Sequence, residues 1–185
     1  MSRSGFVKLK PRFNVTKATQ VAGKFLKLLG GRDYYLLLIK LMYLAERSAL
    51  LRWGRTLTFD DFVSMKHGPV PSATLDLLKR NKNSQYWATY ISEPKSSRVA
   101  LELEPENDEL SDLETELIQE VFEKYGHWNR YYLRDYTHTL PEYTLTTSSI
   151  PIGYQEILKA GGLSGEDIAR VMAELESLAA LEDII

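Results

Sequence analysis

The sequence contains no cysteine, which excludes disulfides, thiolate nucleophiles and thiolate-zinc sites. Only three histidines are present, His67, His127 and His138, and their scatter does not suggest a shared metal site; neither metal nor cofactor is expected. No Gly-x-x-x-x-Gly-Lys or Gly-x-Gly-x-x-Gly phosphate loop occurs, no Gly-x-Ser-x-Gly elbow and no His-Glu-x-x-His pair. No catalytic residue is therefore assigned, and the chain is not expected to be an enzyme. The amino terminus lacks the apolar run of a signal peptide. The most hydrophobic stretch, Tyr34 to Leu51, is interrupted by Lys40, Glu46 and Arg47, charges that are costly inside a bilayer. A cytoplasmic protein without membrane contact is the expectation.

What is present is enough apolar sequence, 44% of 185 residues, to bury the core of one domain. A net charge of only −2 conceals a strong division. Residues 1–100 hold 18 basic and 6 acidic groups, whereas residues 101–185 hold 5 and 19. The stretch from Glu102 to Glu123 alone carries ten acids and no base. Either the halves neutralise each other in the fold, or one of them faces a partner of opposite sign.

Local signals order the chain. Residues 1–13, basic and without periodicity, read as a flexible arm, and residues 14–185 as a single domain. Asn14 can cap a helix to about Leu29, stopped by Gly30 and Gly31. Asp33 is expected to start a helix to about Trp53 that is apolar on nearly all sides, the mark of a central helix on which others pack. Asp33, Lys40 and Arg47, seven residues apart, give it one polar seam. The segment from Leu57 to Lys66 is ambiguous between a strand and a turn. Lys66 to Pro71 reads as a rigid loop, stiffened by Pro69 and Pro71 and freed at Gly68, leading into a helix from Ser72 to Arg80.

Tyr86 to Ile91 and Arg98 to Glu104 read as strands of a small hairpin joined by Glu93 to Ser97. Ser111 and Glu114 form a capping box for a helix to Tyr125, with Leu113, Leu117, Ile118, Val121 and Phe122 as its apolar stripe. Asn129 caps the next helix, which ends near His138 before Pro141. A short helix around Gln155 to Lys159 follows, then a last helix capped by Ser164, with Val171, Met172, Leu175 and Leu178 inward. The expected fold class is mainly α: a compact bundle around a buried central helix, with a small β-hairpin.

Two features point to function. The helix pair 111–125 and 129–138 has helix-turn-helix spacing, but its first member is densely acidic and its second offers only Arg130 and Arg134 against Asp135, so phosphate attraction is weak and DNA is an unfavoured partner. More informative are Tyr125, Trp128, Tyr131, Tyr132, Tyr136 and Tyr143, crowded into 19 residues. Helical geometry cannot turn all of them inward. Exposed tyrosine and tryptophan anchor protein interfaces because they offer large contact area, a polar tip and few rotamers.

Several segments together resemble the Panacea domain, the SocA-like antitoxin family. They are Lys17 Ala18 Thr19 Gln20 before Phe25 Leu26; the run Ile39 Lys40 Leu41 Met42 Tyr43 Leu44 Ala45 Glu46 Arg47; Lys66 to Pro71; and Leu133 Arg134 Asp135 Tyr136 Thr137 His138. The similarity covers about Phe13 to Tyr143. Glu46 stands where aspartate is commoner in the family, and Tyr143 where tryptophan is expected. The resemblance implies a prokaryotic or phage antitoxin that neutralises a cognate protein toxin by direct binding. Alternatives are an adaptor that delivers the toxin to a protease, and a winged-helix-like DNA-binding regulator. The residues assigned to partner binding on this basis are His67, Gly68, Pro69, Val70 and Pro71 in the loop, and Trp128, Tyr131, Tyr132, Tyr136 and His138 around the tyrosine-rich helix.

Overall fold

Helix α2 (Tyr35–Trp53) is the axis of the structure, a computed structural model that describes residues 10–182 and 184. Twelve of its side chains are buried; each large apolar one taken from water contributes about 1.5–3 kcal/mol. Before it come α1 (Val15–Leu28) and β1 (Arg32–Tyr34); after it, β2 (Phe62–Met65), β3 (Gly68–Pro71), α3 (Ser72–Leu78), α4 (Gln85–Tyr90) and β4 (Arg98–Ala100). The chain continues through α5 (Asp112–Tyr125), α6 (Arg130–His138), β5 (Ile150–Ile152), α7 (Tyr154–Ala160) and α8 (Gly165–Glu182). Helices α1, α5, α6 and α7 all pack on α2. The fold is mainly α with two small antiparallel sheets, β1-β4 and β3-β2-β5.

The helix starts follow local chemistry. Asn14 accepts from the Lys17 amide, Ser111 and Glu114 complete the capping box, Asn129 accepts from the Tyr131 amide and Ser164 from the Asp167 amide. Gly54 ends α2 in the left-handed conformation with φ 68°.

Several expectations need correction. Residues 85–90 are helical, begun by Ser84, whose hydroxyl accepts from the Trp87 amide, and Trp87 is fully buried. Of the expected hairpin only the turn end remains, with Ile91 bridging Leu101 and Lys95 bridging Arg98, because its first strand is replaced by α4. Instead β4 pairs with β1, Asp33 opposite Val99, so Asp33 lies in a strand and α2 starts at Tyr35. Gly68–Pro71 is a strand paired with β2, with Lys66 and His67 as the turn, so the expected rigid loop is one arm of a hairpin. Leu113 is 62% exposed, because α5 turns Leu117, Ile118 and Val121 inward instead, and Leu178 also reaches solvent.

Part of the charge division is paired across the fold. Lys17 pairs with Glu114 at 2.7 Å, Lys27 with Glu104 at 2.5 Å, Arg52 with Glu120 at 2.5 Å and Arg47 with Glu142 at 2.6 Å. These pairs tie α1 and α2 to acids of the second half, two of them, Glu114 and Glu120, on α5. The arm expected over residues 1–13 lies outside the described residues up to residue 9. From residue 10 the chain is fastened: Lys10 pairs with Asp61 at 3.2 Å, and the Arg12 amide donates to Glu182 at 3.0 Å.

Candidate functional site

The β2-β3 hairpin is docked onto α2 and α6 by its edge strand. A proline lacks the amide that an inner strand needs; Pro69 and Pro71 are accommodated because β3 is the outer strand of its sheet. The Pro69 carbonyl accepts a hydrogen bond from Lys40 Nζ at 2.7 Å, and Lys40 is fully buried. Gly68 has φ 93°, and a Cβ there would lie 2.8 Å from both Lys40 Nζ and Thr137 Oγ1. Only glycine combines that backbone conformation with that closeness.

His138, at the end of α6, stacks on Tyr143 with ring centroids 4.6 Å apart and planes 12° from parallel. The Tyr143 hydroxyl donates to the Met65 carbonyl at 3.0 Å, fastening the hairpin by its polar tip. His138 Nε2 is buried without a partner among the described residues. Burial, with Lys40 and Arg134 nearby, lowers the basicity of its ring.

Beside the hairpin turn opens a cleft of about 510 Å³ between α2, the turn, α3, the Ser96–Ser97 turn and α6. Lys40, Lys66, His67, Lys79, Arg130 and Arg134 line it, over an apolar wall that includes Leu36, Ile39 and Val70. Among the described residues no carboxylate lines it. Burial pushes the Lys40 ammonium down from 10.5 to about 7, with Arg134 adding to the effect. His67 is likewise lowered, first by burial and then by Lys66, Arg134, Lys40 and Lys79. The Arg130 guanidinium lies 3.5 Å from the Tyr34 ring centroid and 4.4 Å from that of Tyr131, within cation-π range, and donates to the Tyr131 hydroxyl at 3.0 Å.

The residues assigned from the sequence fall into three settings. Gly68, Pro69, Val70 and Pro71 are buried in β3, while His67 is exposed at the turn. Trp128, in the turn before α6, packs on Tyr132 and Tyr136 of that helix, 4.8 Å and 5.5 Å away ring to ring, and Tyr136 shares a hydroxyl contact of 3.2 Å with Tyr125. Tyr132 projects from this cluster and is 63% exposed. Tyr131 sits on the other side of α6, at the cleft. His138, half-buried, belongs with the hairpin. Sequence reasoning missed Tyr34, Lys66, Lys79 and Arg130 as cleft residues. The seven-residue seam through Lys40 was the one sequence signal pointing there.

The family model of the SocA-like antitoxins, the Panacea domain, matches residues 38–142, and the chain belongs to that family. The match runs from α2 through the hairpin to α6 and ends at Glu142, the partner of Arg47 and Tyr43. No curated protein and no solved structure matches the chain. Among the described residues no helix is long and apolar enough to cross a membrane, and no group of three or more histidine, aspartate or glutamate side chains is placed to hold a metal.

Proposed function

We propose that this chain neutralises a cognate protein toxin by direct contact, with the aromatic face of α6 as the anchor. Family membership supports the antitoxin role. The observation that supports the surface is Tyr132, 63% exposed yet backed by the Trp128 ring. A large side chain held ready in this way loses little entropy when a partner covers it, and aromatic anchors of this kind carry much of the energy of protein interfaces. His67 at the hairpin turn and Tyr131, which both border the cleft, extend the surface on the other side of α6. The reading requires no bond made or broken by this chain.

The test is co-expression of the protein encoded beside this gene, with and without this chain. Neutralisation predicts that the neighbour arrests growth alone, that growth returns with this chain, and that the two purify together in fixed ratio. A harmless neighbour, or rescue without a complex, overturns the reading. If the neighbour's half-life falls instead, the chain delivers it to a protease.

A further inference from the structure

We propose that the cleft beside the hairpin turn is a binding site for a small polyphosphorylated ligand with an apolar portion, of the nucleoside di- or triphosphate class. The inference rests on the cleft and does not depend on toxin binding, although His67 and Tyr131 line the cleft and also border the proposed toxin surface.

Charge comes first. Several first-half cations outside the cleft have an acid at hand: Lys17, Lys27, Arg47 and Arg52 are each paired. In the cleft, five lysine and arginine side chains and His67 converge from α2, the hairpin turn, the end of α3 and α6, with no carboxylate in the lining. Arg134 alone among them has an acid beside it, Asp135 at 2.7 Å. Gathering like charges is unfavourable unless something of opposite sign enters. A ligand that balances them needs more than one negative charge.

Shape comes second. The cleft is bounded by five separate pieces of chain and has the volume of a small-molecule site, not of an extended peptide groove. Its apolar wall, with Leu36, Ile39 and Val70, would leave an inorganic polyanion half in contact with hydrocarbon, whereas a base or comparable ring would cover it. Preorganisation comes third. Arg130 is held beside two tyrosine rings and donates one N–H to the Tyr131 hydroxyl at 3.0 Å, so its remaining N–H groups are the ones that would meet phosphate oxygens. Lys40, at the floor, spends one of its three N–H groups on Pro69. The charged groups facing it, Arg134, Lys66, Lys79, Arg130, His67 and His138, are all cationic or neutral, so an anion entering the cleft favours the ammonium form that burial now disfavours.

Isothermal titration of the full chain at low salt, without divalent cation, tests this. The probes are ATP, AMP, adenosine, pyrophosphate, citrate and an acidic peptide of glutamates. The expected result is saturable binding of ATP, tighter than pyrophosphate or AMP, none of adenosine, and a loss of at least tenfold in Lys79→Ala/Arg134→Ala. A control pair on another face, Lys159→Ala/Arg170→Ala, is expected to bind ATP as the native chain does. The proposal is overturned if ATP and pyrophosphate fail to bind at millimolar concentration, if citrate or the peptide binds more tightly than ATP, or if the control pair loses as much as the cleft pair.

Discussion

Lys40 Nζ lies 2.7 Å from the Pro69 carbonyl oxygen and is fully buried. This one bond joins the central helix to the edge strand of the hairpin, and the lysine makes it from a position that disfavours its charge. The folded protein holds Lys40 near 7, against 10.5 in the unfolded chain. Between those values the unfolded state binds more protons, so this group raises stability as pH rises and withdraws that contribution as pH falls through about 7.

Lys40→Met removes both the bond and the titration. The orphaned Pro69 carbonyl costs about 1–3 kcal/mol, while the buried charge is no longer present at acid pH. The variant is therefore expected to lie closest to the native protein near pH 6 and furthest below it near pH 10. Urea unfolding at pH 6, 8 and 10 measures this. A gap that stays constant across the three would show that Lys40 does not titrate in the folded chain.

Gly68→Ala tests the docking of the hairpin. The new Cβ would enter the space of Lys40 Nζ and Thr137 Oγ1, at a φ of 93° that alanine resists. The combined strain and displacement should cost on the order of 3 kcal/mol, or roughly 6–12 °C in Tm for a chain of this size. A thermal melt shows it directly. A Tm within about 2 °C of native would mean that the hairpin is loosely seated.

What the sequence disclosed and what it hid follow one physical division. Caps at Asn14, Ser111, Asn129 and Ser164 are local, decided by side chains within three residues of the amides they satisfy, and each was legible. The segment 85–90 misled because tyrosine, tryptophan and threonine favour strands, whereas the buried seat for Trp87 and the Ser84 cap decide for a helix. Gly68 was recognised as a special conformation, but not its reason, which lies in Lys40, Thr137 and His138 far along the chain. The aromatic face of α6 could be anticipated from crowding alone. The cleft could not, because Lys40, Lys79 and Arg134 come together only after α2, α3 and α6 have packed.

Glu46 offers a second titration of opposite sign. Its carboxylate is buried, accepting from the Leu57 amide at 2.6 Å, the Thr58 amide at 3.3 Å and the Thr58 hydroxyl. Burial, opposed in part by the Thr58 hydroxyl, pushes its pKa up to about 7. From about 4.5 to 7 the folded state keeps a proton that the unfolded state has lost, so this contribution is whole at low pH and disappears as pH rises through 7. In Glu46→Gln the amide oxygen still accepts from Leu57, and nothing titrates. The variant should gain on the native protein by on the order of 2 kcal/mol between pH 4.5 and pH 8. Comparing the two by urea unfolding at both pH values cancels the other carboxylates. A difference that does not change with pH would place the ionised form of Glu46 in a better solvated site than its bonds indicate.

The toxin-binding reading makes its sharpest demand on Tyr132. Its ring projects from α6 and touches Trp128, whereas Trp128 also packs on Tyr125 and Tyr136. Truncation at the two positions should therefore separate binding from folding. Tyr132→Ala is expected to weaken the complex at least tenfold, as loss of an interface anchor does, with Tm changed by no more than about 2 °C. Trp128→Ala should lower both affinity and Tm, because the support of Tyr132 and part of the packing between α5 and α6 are lost together. Leu113→Ser serves as the contrast, since Leu113 is as exposed as Tyr132 but lies on α5. Native affinity in Tyr132→Ala with a loss in Leu113→Ser would move the toxin from the aromatic face to α5, where the acids left over from pairing with α1 and α2 would then face it.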